Sequence, residues 1–345
     1  MADQLKVGVL GLTHDHIWGN LEDLAKSEHG ILAAVADPNR PLLDQAAGKY
    51  GCNTYQAYAD MLDNEQLDAV YLYAHNSAGA DLTEMAAERG LHVMVEKPMA
   101  ATLAQAERMT TTAARAGIVL MVNWPFAWQP RLQHAMKLAK DGVIGDLFQV
   151  RYRSAHNGPK ELGCTPYFYN WLYDREKNGA GALMDYCCYG AALCRYMLGQ
   201  PTRVTAMAGR LQKDYIDVDD NAIILMGYHH AIGITEASWT QVDDMTNYIP
   251  VFYGSKGTIL IHKDGTVQVA THDEPKGKFV EVPEPSPDMR TASDYFLTRI
   301  TTGQPVEGLC NAEISRDAQE ILEAGLISAR TGKEVSLPLR TSLGI

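Results

Sequence analysis

Several classes of protein are excluded by what this chain lacks. It has no apolar run near the roughly 20 residues that a membrane-spanning helix needs. It has no block of lysine and arginine, and its net charge is −12. That balance argues against nucleic acid or an anionic membrane as a partner. The opening Met1-Ala2-Asp3-Gln4-Leu5-Lys6 has no charged-then-apolar leader pattern, so export is not expected. Cysteine is sparse, at Cys52, Cys164, Cys187, Cys188, Cys194 and Cys310. None of these forms a C-x-x-C zinc or redox pair, so the chain reads as reduced and cytoplasmic. The adjacent Cys187-Cys188 reads as small core filling. No internal repeat or low-complexity stretch is evident.

What is present is a globular composition of 46% hydrophobic and 21% charged residues in 345. That length exceeds one ordinary core and points to two domains. Residues 1–123 alternate apolar strands with helices. Strands are expected at Leu5–Leu10, Ile31–Ala36, Asn53–Thr54, Ala69–Tyr73, Leu91–Val95 and Ile118–Val122. Helices are expected near Ile17–Ser27, Pro41–Tyr50, Ala57–Leu62, Ala78–Arg89 and Leu103–Ala116. In the last of these Leu103, Ala106, Met109 and Ala113 recur at helical spacing. Continuous apolar strands between such helices predict a doubly wound parallel sheet. After Asn123 the pattern changes. A helix near Arg131–Lys140 is followed by Phe148, Val150 and Tyr152 alternating with polar residues, the period of a half-buried strand. Closely spaced strands follow at Arg203–Gly209, Ala222–Tyr228, Ile232–Trp239, Thr258–His262, Thr266–Ala270 and Lys278–Val282, with a late helix at Ile314–Ala329. Residues 124–345 therefore read as an α+β domain on a broad, mainly antiparallel sheet. One face of that sheet needs cover that its few helices do not provide, so association through it is expected.

The tripeptide Glu96-Lys97-Pro98 sits at the carboxyl end of a strand, where open α/β sheets bind ligands. Pro98 stiffens the turn. Lys97 can act there as a proton donor or an electrostatic anchor; the plainer reading is a surface turn with an ion pair to Glu96. The first strand leads into Gly11-Leu12-Thr13-His14-Asp15-His16. A dinucleotide fingerprint has glycines where Thr13 and His16 stand. Helix N-terminal amides can still hold a pyrophosphate, aided by the Thr13 hydroxyl and by His14 or His16. The alternative is that Thr13 or Asp15 caps the helix. Asp37, closing the second strand, suits ribose hydroxyls and repels a 2′-phosphate. This favours NAD, with NADP still possible, since Arg40 softens the preference. His14-Asp15-His16 also offers metal donors, but no recognisable spacing completes a ligand set, and no metal is expected. His229-His230 falls in a hairpin. The stretch Thr165-Pro166-Tyr167-Phe168-Tyr169-Asn170-Trp171-Leu172-Tyr173 is dense in rings with polar edges, which suit sugar faces. Asn170 and Trp171 are candidates for substrate contact, and Trp124 and Trp128 can join them. The competing reading is a loop tacked down by those rings.

Taken together these motifs resemble the Gfo/Idh/MocA family of glucose–fructose oxidoreductase and inositol dehydrogenase, over nearly the whole length. Glu96-Lys97-Pro98 matches the family's E-K-P. Asn76 matches the asparagine of its V-x-I-A-T-P-N segment, with His75 replacing the proline and Gly79 a histidine. Asn123 opens the interdomain segment. Gly179-Ala180-Gly181-Ala182-Leu183-Met184-Asp185-Tyr186-Cys187-Cys188-Tyr189 is similar to G-G-G-x-L-x-D-x-G-x-H. Tyr253-Gly254-Ser255-Lys256-Gly257 and Ser328-Ala329-Arg330-Thr331-Gly332-Lys333 fit the second domain. The resemblance implies a Rossmann domain and a nicotinamide-dependent oxidoreductase of a sugar, polyol or related alcohol. It also implies a homodimer or homotetramer formed through the open sheet. Gly11, Thr13, His14, His16, Asp37, Asn76, Glu96, Lys97 and Asn123 would face the cofactor. Lys97, Asp185 and Tyr189 would be the catalytic group and touch substrate. Tyr189 takes the place of the usual histidine, as in members resembling glucose–fructose oxidoreductase, and Cys187 for glycine is expected to tighten a turn beneath it. A free tyrosine has a pKa of about 10, so the expectation is that Lys97 lowers it for use as a base. Two alternatives stand beside net oxidation: a retained NAD that oxidises a sugar transiently so that a glycosidic bond is eliminated, and a catalytically idle NAD-binding sensor.

Overall fold

The computed structural model describes residues 4–243 and 245–339. The first half holds β1 (Leu5–Leu10), α1 (His16–Lys26), β2 (Gly30–Ala36), α2 (Arg40–Tyr50), β3 (Asn53–Tyr55), α3 (Tyr58–Asn64), β4 (Ala69–Leu72), α4 (Gly79–Ala87), β5 (His92–Glu96), α5 (Leu103–Ala116) and β6 (Leu120–Asn123). Its six strands are parallel in the order β3-β2-β1-β4-β5-β6. The chain reverses its direction of growth between β1 and β4, which opens a crevice at their carboxyl ends. Val7, Val9, Val70 and Val93 are wholly buried, as strands covered by helices on both faces must be. Thr102 and Gln105 form a reciprocal capping box that starts α5.

The second half contains α6 (Pro130–Lys140), β7 (Leu147–Ala155), α7 (Pro166–Leu172), α8 (Arg175–Asn178), α9 (Ala182–Leu198), β8 (Arg203–Gly209), β9 (Asn221–Gly227), β10 (Ile232–Ser238), β11 (Val251–Gly254), β12 (Gly257–Ile261), β13 (Val267–Thr271), β14 (Lys278–Val280), α10 (Ala292–Thr302), α11 (Ala312–Thr331) and β15 (Val335–Ser336). Nine strands run in the order β14-β13-β12-β11-β7-β10-β9-β8-β15. Only the central β7–β10 pair is parallel; the other neighbours are antiparallel. Helix α9 lies close against β10. A Cβ on Gly190 would stand 2.3 Å from Thr235 Oγ1, so only glycine allows this approach. The opposite face presents Met207, Ile223 and Leu225 to solvent.

The last two helices cross back to the first half. Tyr71 donates to Ser293 Oγ at 3.0 Å and packs on Phe296. Glu323 accepts the Leu103 amide at the start of α5, at 2.7 Å. Arg316 pairs with Glu107 of α5 at 2.6 Å.

Both sheets match the sequence reading. The sequence reading does not place helices α7, α9 and α10 as elements. For α9 the reason is burial on nearly every side, from Ala182 through Cys194, which erases the polar half of the pattern. Cys187 accordingly sits inside a helix, fully buried, and tightens no turn.

Candidate active site

The fold brings the carboxyl end of β5 against the first turns of α9. Lys97 Nζ donates to Asp185 Oδ1 at 2.7 Å and to the Asp185 carbonyl at 3.2 Å. Both side chains are buried, Lys97 at 1% exposure and Asp185 at 3%. Trp239 Nε1 donates to the other carboxylate oxygen at 3.3 Å. An ammonium has three donors, so one of Lys97's remains beyond those given to Asp185. Burial opposes its charge, but Asp185, with Cys188 and Glu96, outweighs this and holds Lys97 protonated well above the ordinary lysine range. The ion pair with Glu96 offered by the plainer reading does not form.

Asp185 and Tyr189 share one face of α9, as their four-residue spacing requires. Lys97 Nζ lies 4.7 Å from the centre of the Tyr189 ring, a cation–π contact. This corrects the expectation that Lys97 lowers the Tyr189 pKa. The ammonium meets the ring face and is neutralised by Asp185, while burial, with Tyr248, Cys188, Tyr186 and Glu96, pushes the Tyr189 hydroxyl well up. The Tyr189 ring is edged by Trp124 and Phe126 and lies near parallel to Tyr152. Trp124 is itself core: it is buried, and its Nε1 donates to Ser315 Oγ at 3.1 Å. It offers no face to a sugar.

Four residues around this pair escaped the sequence reading. Tyr186 lies under Lys97, 5.7 Å from its ring centre. Tyr248 bonds the Tyr186 hydroxyl at 2.9 Å. His156, at the end of β7, stacks edge-on to Tyr186 at 4.7 Å. Its Nδ1 accepts the Gly158 amide at 2.7 Å, which leaves the proton on Nε2. Burial, with Lys97 and Lys213, brings the His156 pKa down to about 4 against the pull of Asp185 and Glu161. Lys213, also buried, pairs with Glu161 at 2.7 Å. Tyr186 was within the motif that carried the resemblance; His156, Lys213 and Tyr248 had no spacing signal at all.

The cofactor candidates lie at or just after the carboxyl ends of the first sheet's strands. Gly11 turns with φ of 91°, and a Cβ there would sit 2.5 Å from the Ala74 nitrogen. Asp37 is fully buried. Its Oδ2 accepts the Leu12 amide at 2.6 Å and its Oδ1 accepts both Asn39 N–H groups. It thus fixes the loop, while Arg40 turns away to Asp44. Leu12, His14 and His16 each spend their amides inside the chain. Among the described residues the amides of Thr13 and Asp15 have no partner in the chain. Two free amides beside the start of α1 fit an anionic diphosphate, so the donor set suits a dinucleotide despite the lost glycines. Neither Thr13 nor Asp15 caps α1 through its side chain; both Asp15 oxygens accept from Thr165 instead.

Asp15 therefore leaves the His-Asp-His group, and Glu96 joins it. One donor atom each from His14, His16 and Glu96 lies within 4.8 Å of the others. Two of these atoms are already engaged within the group: His14 Nδ1 accepts the His16 backbone amide at 3.3 Å, and His16 Nδ1–H donates to Glu96 Oε1 at 3.0 Å. Glu96 Oε2 accepts Asn123 Nδ2 at 2.8 Å, and Asn123 Oδ1 accepts Trp128 Nε1 at 2.8 Å. Burial, with His16 and Lys97, holds His14 neutral, its pKa well below the usual value. Asn76 is turned toward the second half and donates to Asn178 at 2.7 Å.

The aromatic stretch Thr165–Tyr173 folds as α7 over this loop. Trp171 and Phe168 pack on the His14 ring, and Trp171 Nε1 donates to the Thr13 carbonyl at 3.4 Å. Trp171 thus abuts the cofactor loop, and Asn170 is exposed without a bond to any site side chain.

Comparison with known proteins identifies both halves of the chain. Residues 5–124 match the oxidoreductase family with an NAD-binding Rossmann fold, and residues 132–260 match the GFO/IDH/MocA C-terminal domain. A D-apiose dehydrogenase of Paraburkholderia graminis is 26% identical over 272 residues, covering 77% of this chain and 68% of its own. A dTDP-3,4-didehydro-2,6-dideoxy-alpha-D-glucose 3-reductase of Saccharopolyspora spinosa is 26% identical over 350 residues, covering 95% and 97%. The crystal structure of an aldose-aldose oxidoreductase from Caulobacter crescentus, complexed with glycerol, superposes with a TM-score of 0.83. It is 25% identical and covers 97% of this chain and 100% of its own. With a crevice built for a dinucleotide and both halves matched in order, the chain belongs to the Gfo/Idh/MocA family of NAD-binding oxidoreductases.

Proposed function

We propose that the protein moves a hydride between NAD and a secondary alcohol carbon of a sugar, polyol or related carbohydrate. The observation that carries this reading is the buried Lys97–Asp185 pair at the carboxyl end of the parallel sheet, ringed by tyrosines. The bound dinucleotide would supply the hydride acceptor or donor. Thr13 and Asp15 amides would hold its diphosphate, Asp37 its adenosine ribose, and Glu96, Asn123, His14, His16 and Asn76 would border its nicotinamide end. The free donor of Lys97 would bind a substrate hydroxyl, and Asp185 would fix a second, so that the reacting carbon is held in one pose. Tyr189 seats Lys97 and borders the reacting position. The proton of the reacting hydroxyl goes to a phenol of this cluster. The substrate class rests on relatives named for sugars and on the density of rings with polar edges. Trp128 is the one junction tryptophan that stays partly open, while Trp171 serves the cofactor loop.

The open face of the nine-stranded sheet, with Met207, Ile223 and Leu225 exposed, fits an isologous dimer or a tetramer. All six cysteines are free thiols, which suits a reducing cytoplasm. No helix among the described residues is long and apolar enough to cross a membrane.

The test is a fluorescence titration with NADH and NADPH, followed by a panel of aldoses, polyols and glycosides with NAD, read by NADH formation and product analysis. Net NADH with a keto or lactone product supports the reading. Glycoside cleavage without net NADH supports transient oxidation instead. Tight NADH binding with neither product supports a sensor, and failure to bind either cofactor overturns all three.

A further inference from the structure

A second cleft lies apart from the Lys97–Asp185 pair. It opens between α6, the end of α9, the start of α10 and the turn before α11, with a volume of about 340 Å³. Trp128, Tyr196, Tyr295, Met136, Met289 and Leu309 form its walls. Lys97, Asp185, Tyr186, Tyr189 and Tyr248 do not line it. Tyr196 stands about two turns beyond Tyr189 on α9.

Small-molecule sites are of about this size or larger, with apolar and aromatic walls and a few placed polar groups. The rim offers a ligand no unspent cation. Lys137 pairs with Asp141 at 2.7 Å, and Lys140 lies over the Tyr196 ring, 3.3 Å from its centre. Glu307 is exposed to water. Two uncharged polar tips remain. Both Gln133 side-chain amide hydrogens go to carbonyls, of Ala127 at 2.8 Å and Met289 at 3.2 Å, which leaves Gln133 Oε1 without a donor. The Tyr196 hydroxyl has no partner in the chain either. Neither atom is sealed from solvent. The Tyr295 hydroxyl, by contrast, is spent on the Glu307 backbone. Three rings and two neutral tips suit a flat, uncharged ring that bears a hydrogen-bond donor. A sugar, with a hydroxyl on nearly every carbon, would find too few partners.

Trp128 joins this cleft to the candidate active site. Its ring is partly open and lies 5.4 Å from that of Tyr295. Its Nε1 donates to Asn123 Oδ1 at 2.8 Å. Asn123 Nδ2 donates in turn to Glu96 Oε2 at 2.8 Å, and the Asn123 carbonyl accepts the Lys97 amide at 3.2 Å. The turn before α11 also meets β6, through a bridge between Met121 and Asn311. We propose that the cleft binds a small uncharged aromatic compound with an N–H or O–H donor, and that this occupant, stacked on Trp128, tightens the hold on the dinucleotide. The occupant orders the Trp128 ring and with it the Asn123–Glu96 bond, so the dinucleotide no longer meets that ordering cost. The tightening rests on the dehydrogenase reading above; the cleft as a site does not.

The experiment titrates the full-length protein with indole by calorimetry, with and without saturating NADH. Benzoate and benzylamine serve as charged rings, and folding of each variant is checked by circular dichroism. Indole should bind saturably and more tightly than either charged ring. Saturating indole should tighten NADH by about fivefold, read by fluorescence, and NADH should tighten indole by the same factor, since coupling is reciprocal. Met289→Trp, which fills the cleft from a partly buried position, should abolish indole binding and leave NADH binding in place. Trp128→Phe, which keeps a ring and removes the Nε1 donor, should still bind indole but lose its effect on NADH. No saturable indole binding, or binding untouched by Met289→Trp, overturns the proposal. Competition between indole and NADH overturns it too, by placing indole in the cofactor crevice. Binding seen only in monomeric protein overturns it by showing that a second copy fills the cleft. Indole binding with NADH affinity unchanged overturns the link through Asn123. A parent that binds indole in the cleft but no NADH overturns the dehydrogenase reading and leaves the site standing.

Discussion

Removing Lys97 tests the energetics of the site directly. Lys97→Met keeps the stem's volume and deletes the ammonium, leaving Asp185 with the Trp239 N–H at 3.3 Å as its side-chain partner. Both members of the pair are almost wholly buried, 1% and 3% exposed, so solvent cannot replace the lost charge. Breaking one side of such a pair costs about 3–5 kcal/mol. Lys97→Met/Asp185→Asn should recover most of that loss, because no uncompensated charge remains. The assay is urea unfolding of parent, single and double variants at pH 7. A second signature appears at alkaline pH. The folded pKa of Lys97 is raised above its unfolded value of about 10.4. The unfolded chain therefore loses this proton first as pH rises. The stabilisation is complete below about pH 10.4 and disappears as pH climbs through the folded value. The parent should lose stability more steeply than Lys97→Met above that point. A single variant within 1 kcal/mol of the parent, or a double variant no more stable than the single, would refute the argument, since the lower bound for a broken buried pair is about 3 kcal/mol.

His156 gives the opposite slope. It is held neutral with a pKa of about 4 against 6.5 for the free group, so the unfolded chain takes the proton first. Stability should be full above pH 6.5 and fall by about 3 kcal/mol down to pH 4, and acid-side unfolding of His156→Gln should show a shallower fall. Asp37→Ser should shift the NADH-to-NADPH affinity ratio toward NADPH in fluorescence titrations; a parent that prefers NADPH contradicts the role given to Asp37. Leu225→Lys, on the open sheet face, should turn a dimer into a monomer in light scattering at micromolar concentration, and a parent already monomeric removes that interface. Gly190→Ala should cost roughly 1–3 kcal/mol in urea unfolding, since its Cβ would meet Thr235 at 2.3 Å; an unchanged midpoint would show that α9 is free to shift.

The parallel sheet was legible because its strands are buried on both faces and its helices on one. That contrast produces two periods, and the eye needs nothing more. Helix α9, which carries Asp185 and Tyr189, has no contrast, being buried almost all round. Only the motif resemblance pointed to it. Likewise Lys97 was visible from its place at a strand end, but its partner lies 88 residues away and no local rule links them. The His16–Glu96 bond spans 80 residues, which is why the His-Asp-His spacing suggested the wrong third member. Trp124 directly follows β6, but its exposure depended on what packs there, and Phe126, Tyr189 and Ser315 cover it. Tyr248 sits in an irregular loop, where neither period nor motif exists to be read.

The return of α10 to the first sheet sets an order of events during synthesis. Tyr71 emerges from the ribosome 222 residues before Ser293, its hydrogen-bond partner, and its ring cover, Phe296, follows still later. Through that interval the dinucleotide half has one apolar flank with nothing to lie against it, and the Arg316–Glu107 and Glu323–Leu103 links to α5 do not yet exist. The nucleotide-binding half is thus finished only by the end of the chain. Nascent chains paused before α10 would be clients for holding chaperones, and a gene cut at the junction after Asn123 would yield a half-molecule that self-associates through the flank it was built to hide.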